Sequence, residues 1–257
     1  MRKLATLLRW ELEDGVRLLL FALGVPALTY LLTVAYLKSQ WSMTSLTGGH
    51  PEAYGKDFIL SSITAEHFFS YPMLSLGFWI LLSLLVAVLS VLAFRYDRER
   101  GYALTVYSLP YSKVSIFIGK LLSVVILSLL ALYIPLFLAD FVPNADIASK
   151  VWEIVLSWRY LNLVIFATYF VLFSLSVSVL FSTLLRDMFL AFMGAFFVLV
   201  LPFFAGLSWP PFSFLPFMSR ALTGASPLEG SNLLWGLVIP AVLLFASSIA
   251  FTGRDVL

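Results

Sequence analysis

Two groups of residues in this 257-residue chain could do chemistry. The stronger is the block Arg95–Lys120, RYDRERGYALTVYSLPYSKVSIFIGK. It opens with interleaved charges of both signs: Arg95, Asp97, Arg98, Glu99 and Arg100. A basic patch beside a membrane orients the chain and holds anionic lipid, at about 1 kcal/mol per residue. Carboxylates add nothing to that role, and a cluster of mixed sign better suits a fixed protein surface. The block then turns apolar through Tyr102, Ala103, Leu104, Val106, Tyr107, Leu109 and Tyr111. This run is too short to cross a bilayer, and in water it would expose the kind of contiguous patch that marks an interaction site. Gly101 can open a short helix, and Pro110 ends it near Leu109. Ser112 is placed to cap the next helix. The chemistry expected here is docking, with tyrosines filling a partner's groove.

The second group is His50 and His67, with Glu52 and Glu66 nearby, in the segment 38–71. Two His–acid neighbours lack the spacing of a metal site, and ordinary surface polarity explains them. There is no P-loop, no H-E-x-x-H and no aspartate pair within an apolar run, so no catalytic residues are assigned and the chain does not read as an enzyme. Cysteine is absent, which removes disulfides and thiolate metal sites. A net charge of +2 gives no reason to expect nucleic acid as a partner.

The elements that position these residues belong to a membrane. The chain is 61% hydrophobic and 12% charged, against about 25% charged in a soluble domain. Apolar runs of roughly 20 residues, enough for a span, occur near Leu18–Leu37, Pro72–Phe94, Ile116–Leu138, Leu161–Ser182, Met188–Trp209 and Leu233–Phe251. The first lacks a small-residue cleavage pattern and reads as a retained span. Sorting Lys and Arg by the side they would occupy gives eleven on the side of the termini and the Arg95–Ser115 loop, and five on the other. Both termini and that loop are therefore expected in the cytoplasm.

Between Leu4 and Arg17, Leu4, Leu7, Leu8, Leu12 and Val16 share a helical face, with Arg2, Arg9, Glu13 and Arg17 on the other. An in-plane interface helix over 1–17 is expected, with Trp10 at its boundary. Every charged residue lies outside the spans or near their ends. Lys120 is the deepest, and its stem is expected to snorkel to the headgroups. Without an ionisable group near the midplane, ion-coupled transport has nothing to bind its ion. Energy for any transport must then enter from outside the bilayer.

Segment 202–232 combines five prolines with Phe203, Phe204, Trp209, Phe212, Phe214, Phe217 and Met218, and suits a stretch that dips back into the membrane. Ser174, Ser178 and Ser182 share a face of the fourth span, with Ser176 off it, and Ala191 and Ala195 form a small-residue pair in the fifth. Close helix packing explains both better than a lined path. Gly24 and Pro26 suggest a kink in the first span. No substrate-binding residue is assigned.

Glu99-x-Gly101, a short helix, Pro110, Ser112 and the pair Gly119-Lys120 together resemble the permeases of type-2 ATP-binding-cassette (ABC) exporters. The resemblance extends over most of the chain: the amphipathic leader, six spans, the turn Phe181–Asp187, the Pro-rich segment and the ending Phe251-Thr-Gly-Arg-Asp-Val. Family members often carry Thr-Leu-Glu after the glycine, where this chain has Tyr102-Ala103-Leu104. The resemblance implies an all-α membrane protein forming a single transmembrane domain over 1–257. It would have six transmembrane helices, an interface helix over 1–17, a cytoplasmic coupling loop over 95–115, external segments 38–71 and 202–232, and a re-entrant hairpin before the last helix. It further implies that Glu99, Gly101, Tyr102, Leu104, Val106, Tyr107, Leu109 and Pro110 dock into a separate ATPase subunit, which holds the ATP and Mg; this chain would carry no cofactor. The remaining implied partners are a second permease, identical or related, and the lipid of the cell membrane. The alternative from another class is a non-transporting membrane anchor or sensor subunit that recruits a cytoplasmic partner through the same loop.

Overall fold

The computed structural model describes residues 2–46, 71–72, 75–99, 111–204, 220–221 and 223–253. Among these every regular element is helical. The helices are α1 (Arg2–Leu12), α2 (Gly15–Leu46), α3 (Leu76–Phe94), α4 (Tyr96–Glu99), α5 (Lys113–Phe141), α6 (Ala148–Val155), α7 (Trp158–Leu184), α8 (Met188–Phe204) and α9 (Gly230–Gly253). A 3₁₀ turn at Ala145–Ile147 precedes α6, and α9 contains a π turn at Leu234–Val238.

Five helices are long and apolar enough to cross a membrane: Gly15–Lys38 within α2, together with α3, α5, α7 and α9. They correspond to five of the six expected spans. The expected fifth span, Met188–Trp209, is described as far as Phe204 as the 17-residue apolar helix α8. Of the expected re-entrant hairpin, residues 205–219 and 222 lie outside the described residues. Just before α9 the chain closes in a tight turn. Ala225 N–H donates to the Arg220 carbonyl and Gly224 N–H to that of Ala221, with Gly224 at φ 74°. This pair of bonds around a left-handed glycine ends a helix. Arg220 then reaches Ser231 (3.3 Å) and Asn232, fixing the turn to the start of α9.

Helix α7 lies at the centre, packed against α9, α3, α8 and α5, while α2 packs on α5 and α3. Close approach depends on small residues, as expected where helices associate without a hydrophobic gain. A Cβ at Gly236 would sit 2.3 Å from the Tyr169 ring, whose hydroxyl is tied to the Pro227 carbonyl (3.1 Å). At Gly24 a Cβ would meet Leu85 at 2.8 Å, so this glycine seats α2 against α3. Ser174, Ser176, Ser178 and Ser182 are all buried, as are Ala191 and Ala195. The Ser178 and Ser182 hydroxyls donate to carbonyls four residues back on α7, and that of Ser176 to Phe173 three back. Ser176, Ser178 and Ser182 thus satisfy themselves within their own helix, in keeping with the packing role, whereas the buried Ser174 hydroxyl has no hydrogen-bond partner among the described residues.

The interface helix expected over 1–17 is corrected in its extent. It stops at Leu12, and Asp14 starts a new helix by accepting from the N–H groups of Val16 and Arg17 (3.0 and 3.2 Å). This break explains why the residues beyond it do not take the environments that the continuous spacing implies. Val16, assigned to the apolar face, is exposed, whereas Arg17, assigned to the polar face, is buried. Leu7 is buried and Trp10 half-exposed, as the spacing predicts.

Candidate functional site

The loop 95–115 leaves and rejoins the bundle at one end, and both attachments are fixed. On the leaving side, Arg95 is buried and α4 adds one turn, ending at the exposed Glu99. On the returning side, Tyr111 packs on the core, and the Ser112 hydroxyl accepts from Ser115 N–H (3.1 Å) as the expected N-cap of α5. Of the expected docking residues, Glu99 alone is described. Gly101, Tyr102, Leu104, Val106, Tyr107, Leu109 and Pro110 lie outside the described residues, as do His50, Glu52, Glu66 and His67. Among the described residues, no group of three or more His, Asp or Glu could hold a metal.

Two arrangements lie behind these attachment points. The first is aromatic. Phe94, the last residue of α3, meets Phe117 of α5 (ring centroids 5.3 Å apart) and Phe251 of α9 (6.0 Å), and the latter two are 5.4 Å apart. All three rings are buried, so the ends of three spans share one contact. Lys113 Nζ donates to the Thr252 carbonyl (3.4 Å), joining the same two termini again.

The second arrangement is ionic. Glu11 of α1, 1% exposed, presents one carboxylate oxygen to Lys120 Nζ (3.1 Å) and the other to Arg17 (2.7 Å). The same Arg17 nitrogen lies 3.2 Å from Asp14, and its other terminal nitrogen donates to the Ser123 hydroxyl (3.2 Å). Ser123 in turn donates to the Lys120 carbonyl (2.8 Å). Two cations and two anions thus balance in one site, in which Glu11, Arg17 and Lys120 are buried and Asp14 is partly exposed. Lys120 is 3% exposed, which corrects the expectation that it snorkels to the headgroups. An acid at bonding distance inside the protein holds its ammonium better than a stretched stem could. Immediately before it, Gly119 leaves space for Leu7, whose Cδ2 would lie 2.6 Å from any Cβ there. The Gly119-Lys120 pair therefore docks α1 twice, by shape and by charge. The Arg9–Glu13 pair (2.7 Å) is by contrast exposed; hydrogen bonding to Glu13 raises the Arg9 pKa.

At the opposite end of α5 stands a polar cluster without an ion pair among the described residues. The buried Asp140 carboxylate accepts from the hydroxyls of Tyr71 and Tyr160, one on each oxygen. Asn144 donates to the Asp140 carbonyl (2.8 Å) and accepts from Tyr36 (2.8 Å). Tyr36 and Tyr71 meet edge to face at 5.3 Å. Burial pushes the Tyr71 hydroxyl well above the ordinary phenol range, and the Asp140 charge pushes it the same way. Tyr36 of α2, the residues before α3, the end of α5 and the start of α7 are joined here.

Sequence reasoning missed both polar clusters. Glu11 stands between apolar residues and looks like a surface acid. Asp140, directly after a long apolar run, was the available signal for the far cluster. The chain matches no known family model, and no curated protein matches it.

Proposed function

We propose that this chain is the membrane-spanning permease subunit of an ABC exporter, with six spans, cytoplasmic termini and a re-entrant segment before α9. It would be driven by a separate ATPase that docks on the loop 95–115. The observation that carries the reading is how that loop is rooted. A push at the loop reaches Phe94 on one side and Ser112 on the other. Through Phe117 and Phe251 it then acts on three spans together. Such a shared contact moves as a unit, because packed interiors do not deform continuously.

The charge distribution supports the same reading. Among the described residues, the central turns of the spans carry no Asp, Glu, Lys, Arg or His; the deepest of these, Lys120, faces Glu11, and Asp140 at the far end of α5 accepts from two tyrosines. ATP closing a pair of ATPases would supply the energy that an ion gradient cannot supply here. Two permeases, identical or related, would enclose the path.

The test is reconstitution with an ATPase subunit encoded beside this chain. ATP-dependent export of a cargo from liposomes is expected. A complex that forms stably but moves none of the ions, drugs, lipids or glycans tried would favour a membrane anchor that recruits a partner through the same loop.

A further inference from the structure

Helix α6 has three faces rather than two. Val151 and Ile154, three residues apart, are buried against the bundle, where α6 touches α5 and α7. Trp152 and Leu156, four apart, are 48% and 68% exposed. Ser149 and Glu153, also four apart, are exposed and polar. At about 100° per residue, the buried Ile154 and Val151, then Trp152 and the C-cap Leu156, then Ser149 and Glu153 follow one another around the helix, so a protein-facing, an exposed apolar and a polar sector lie side by side. A helix in water needs only two faces. A third, apolar strip beside a polar one is what an element needs when it lies in the plane of a bilayer surface.

The level of α6 along the spans agrees with this. It connects α5, which ends at Phe141, to α7, which begins at Trp158, so it sits where two spans meet the same bilayer surface. The Trp152 ring stands 4.7 Å from Phe141 and 6.2 Å from Phe137, continuing the apolar side of α5 outward. The half-exposed Phe137 and the exposed Val142, Trp152, Leu156 and Trp158 form a rim at this level. Tryptophan favours the headgroup region, where its ring is apolar and its N–H remains hydrated.

From this geometry we infer that α6 is an in-plane membrane helix, with Trp152 and Leu156 inserted at the boundary between headgroups and acyl chains on the bilayer surface opposite α1. Its partner is the lipid layer itself. Seated there, α6 fixes how deep the Asp140 end of the bundle sits. The inference rests on the spans crossing a bilayer and not on the exporter assignment.

Because the chain contains no cysteine, single nitroxide labels report cleanly. The full chain would be reconstituted in phosphatidylcholine vesicles with one label each at Trp152→Cys, Leu156→Cys, Ser149→Cys or Glu153→Cys. Collision rates with oxygen, which concentrates in lipid, and with a water-soluble nickel chelate would then be measured. The ratio of oxygen to nickel accessibility should be several-fold higher at 152 and 156 than at 149 and 153. Equal ratios at all four sites would place the helix in water and overturn the inference. Low accessibility to both agents at 152 and 156 would show the face covered by protein and would overturn it as well. Leu156→Cys retains Trp152, so the reading survives a Trp152 variant that fails to fold.

Discussion

The two ends of α5 solve the same problem with different chemistry. Lys120 and Asp140 are twenty residues apart on one helix, about 30 Å by helical rise, and each is a buried ionisable residue. Around Lys120 the charge is answered by other charges, in a set of two acids and two bases. At the Asp140 end the carboxylate is answered by two tyrosine hydroxyls. The first arrangement attaches α1 through groups close in sequence, Glu11, Asp14 and Arg17. The second binds segments far apart in sequence, at Tyr36, Tyr71, Asn144 and Tyr160. A balanced ionic set is costly to unbalance but holds only one added helix. A hydroxyl cage has smaller single bonds but ties together four segments.

This contrast sets an order of expected effects. Glu11→Gln removes the carboxylate that faces both Lys120 and Arg17, leaving the partly exposed Asp14 as the one acid of the set against two buried cations, and should destabilise the protein by about 3–5 kcal/mol. Thermal unfolding in detergent would measure it, and Arg9→Ala, which removes only the exposed pair, should change nothing measurable. Tyr71→Phe removes one of the two hydroxyls that answer Asp140 and should cost about 1–3 kcal/mol. If Tyr71→Phe proved costlier than Glu11→Gln by the same measurement, the contrast between the two ends would be reversed. Gly119→Val forces Leu7 from its seat and should cost about 1–3 kcal/mol through overpacking, read as faster proteolysis of α1 while the spans stay protected. Ser112→Ala removes one cap at the start of α5 and should cost about 1 kcal/mol in the same unfolding assay.

Much of the span layout was legible because apolar run length reports membrane crossing directly. The Ser112 cap was legible too, since capping is a local matter of one hydroxyl and an N–H three residues on. The helix break at Asp14 was not, because amphipathic spacing continues smoothly across it, and so Arg17 was given the wrong environment. Lys120 was placed at the right level with the wrong partner. Snorkelling needs only the residue's own stem, whereas the ion pair depends on α1 folding back onto α5. The far cluster was the least legible. Tyr36, Tyr71 and Tyr160 are ordinary residues for span ends, and only the fold brings them to Asp140. The three-ring contact has the same character: Phe94, Phe117 and Phe251 are three of 24 phenylalanines, and nothing local distinguishes them.

The proposed coupling is tested most directly at the loop between α3 and α5. Tyr107→Asp and Leu104→Asp place a charge in the apolar run of 95–115 and alter no residue of the ring contact or of either polar cluster. Copurification of the ATPase subunit and cargo-stimulated ATP hydrolysis should both be lost, while the thermal stability of the bundle stays that of the wild type. Unchanged complex formation together with unchanged coupled hydrolysis in both variants would contradict the assignment of this loop as the docking element.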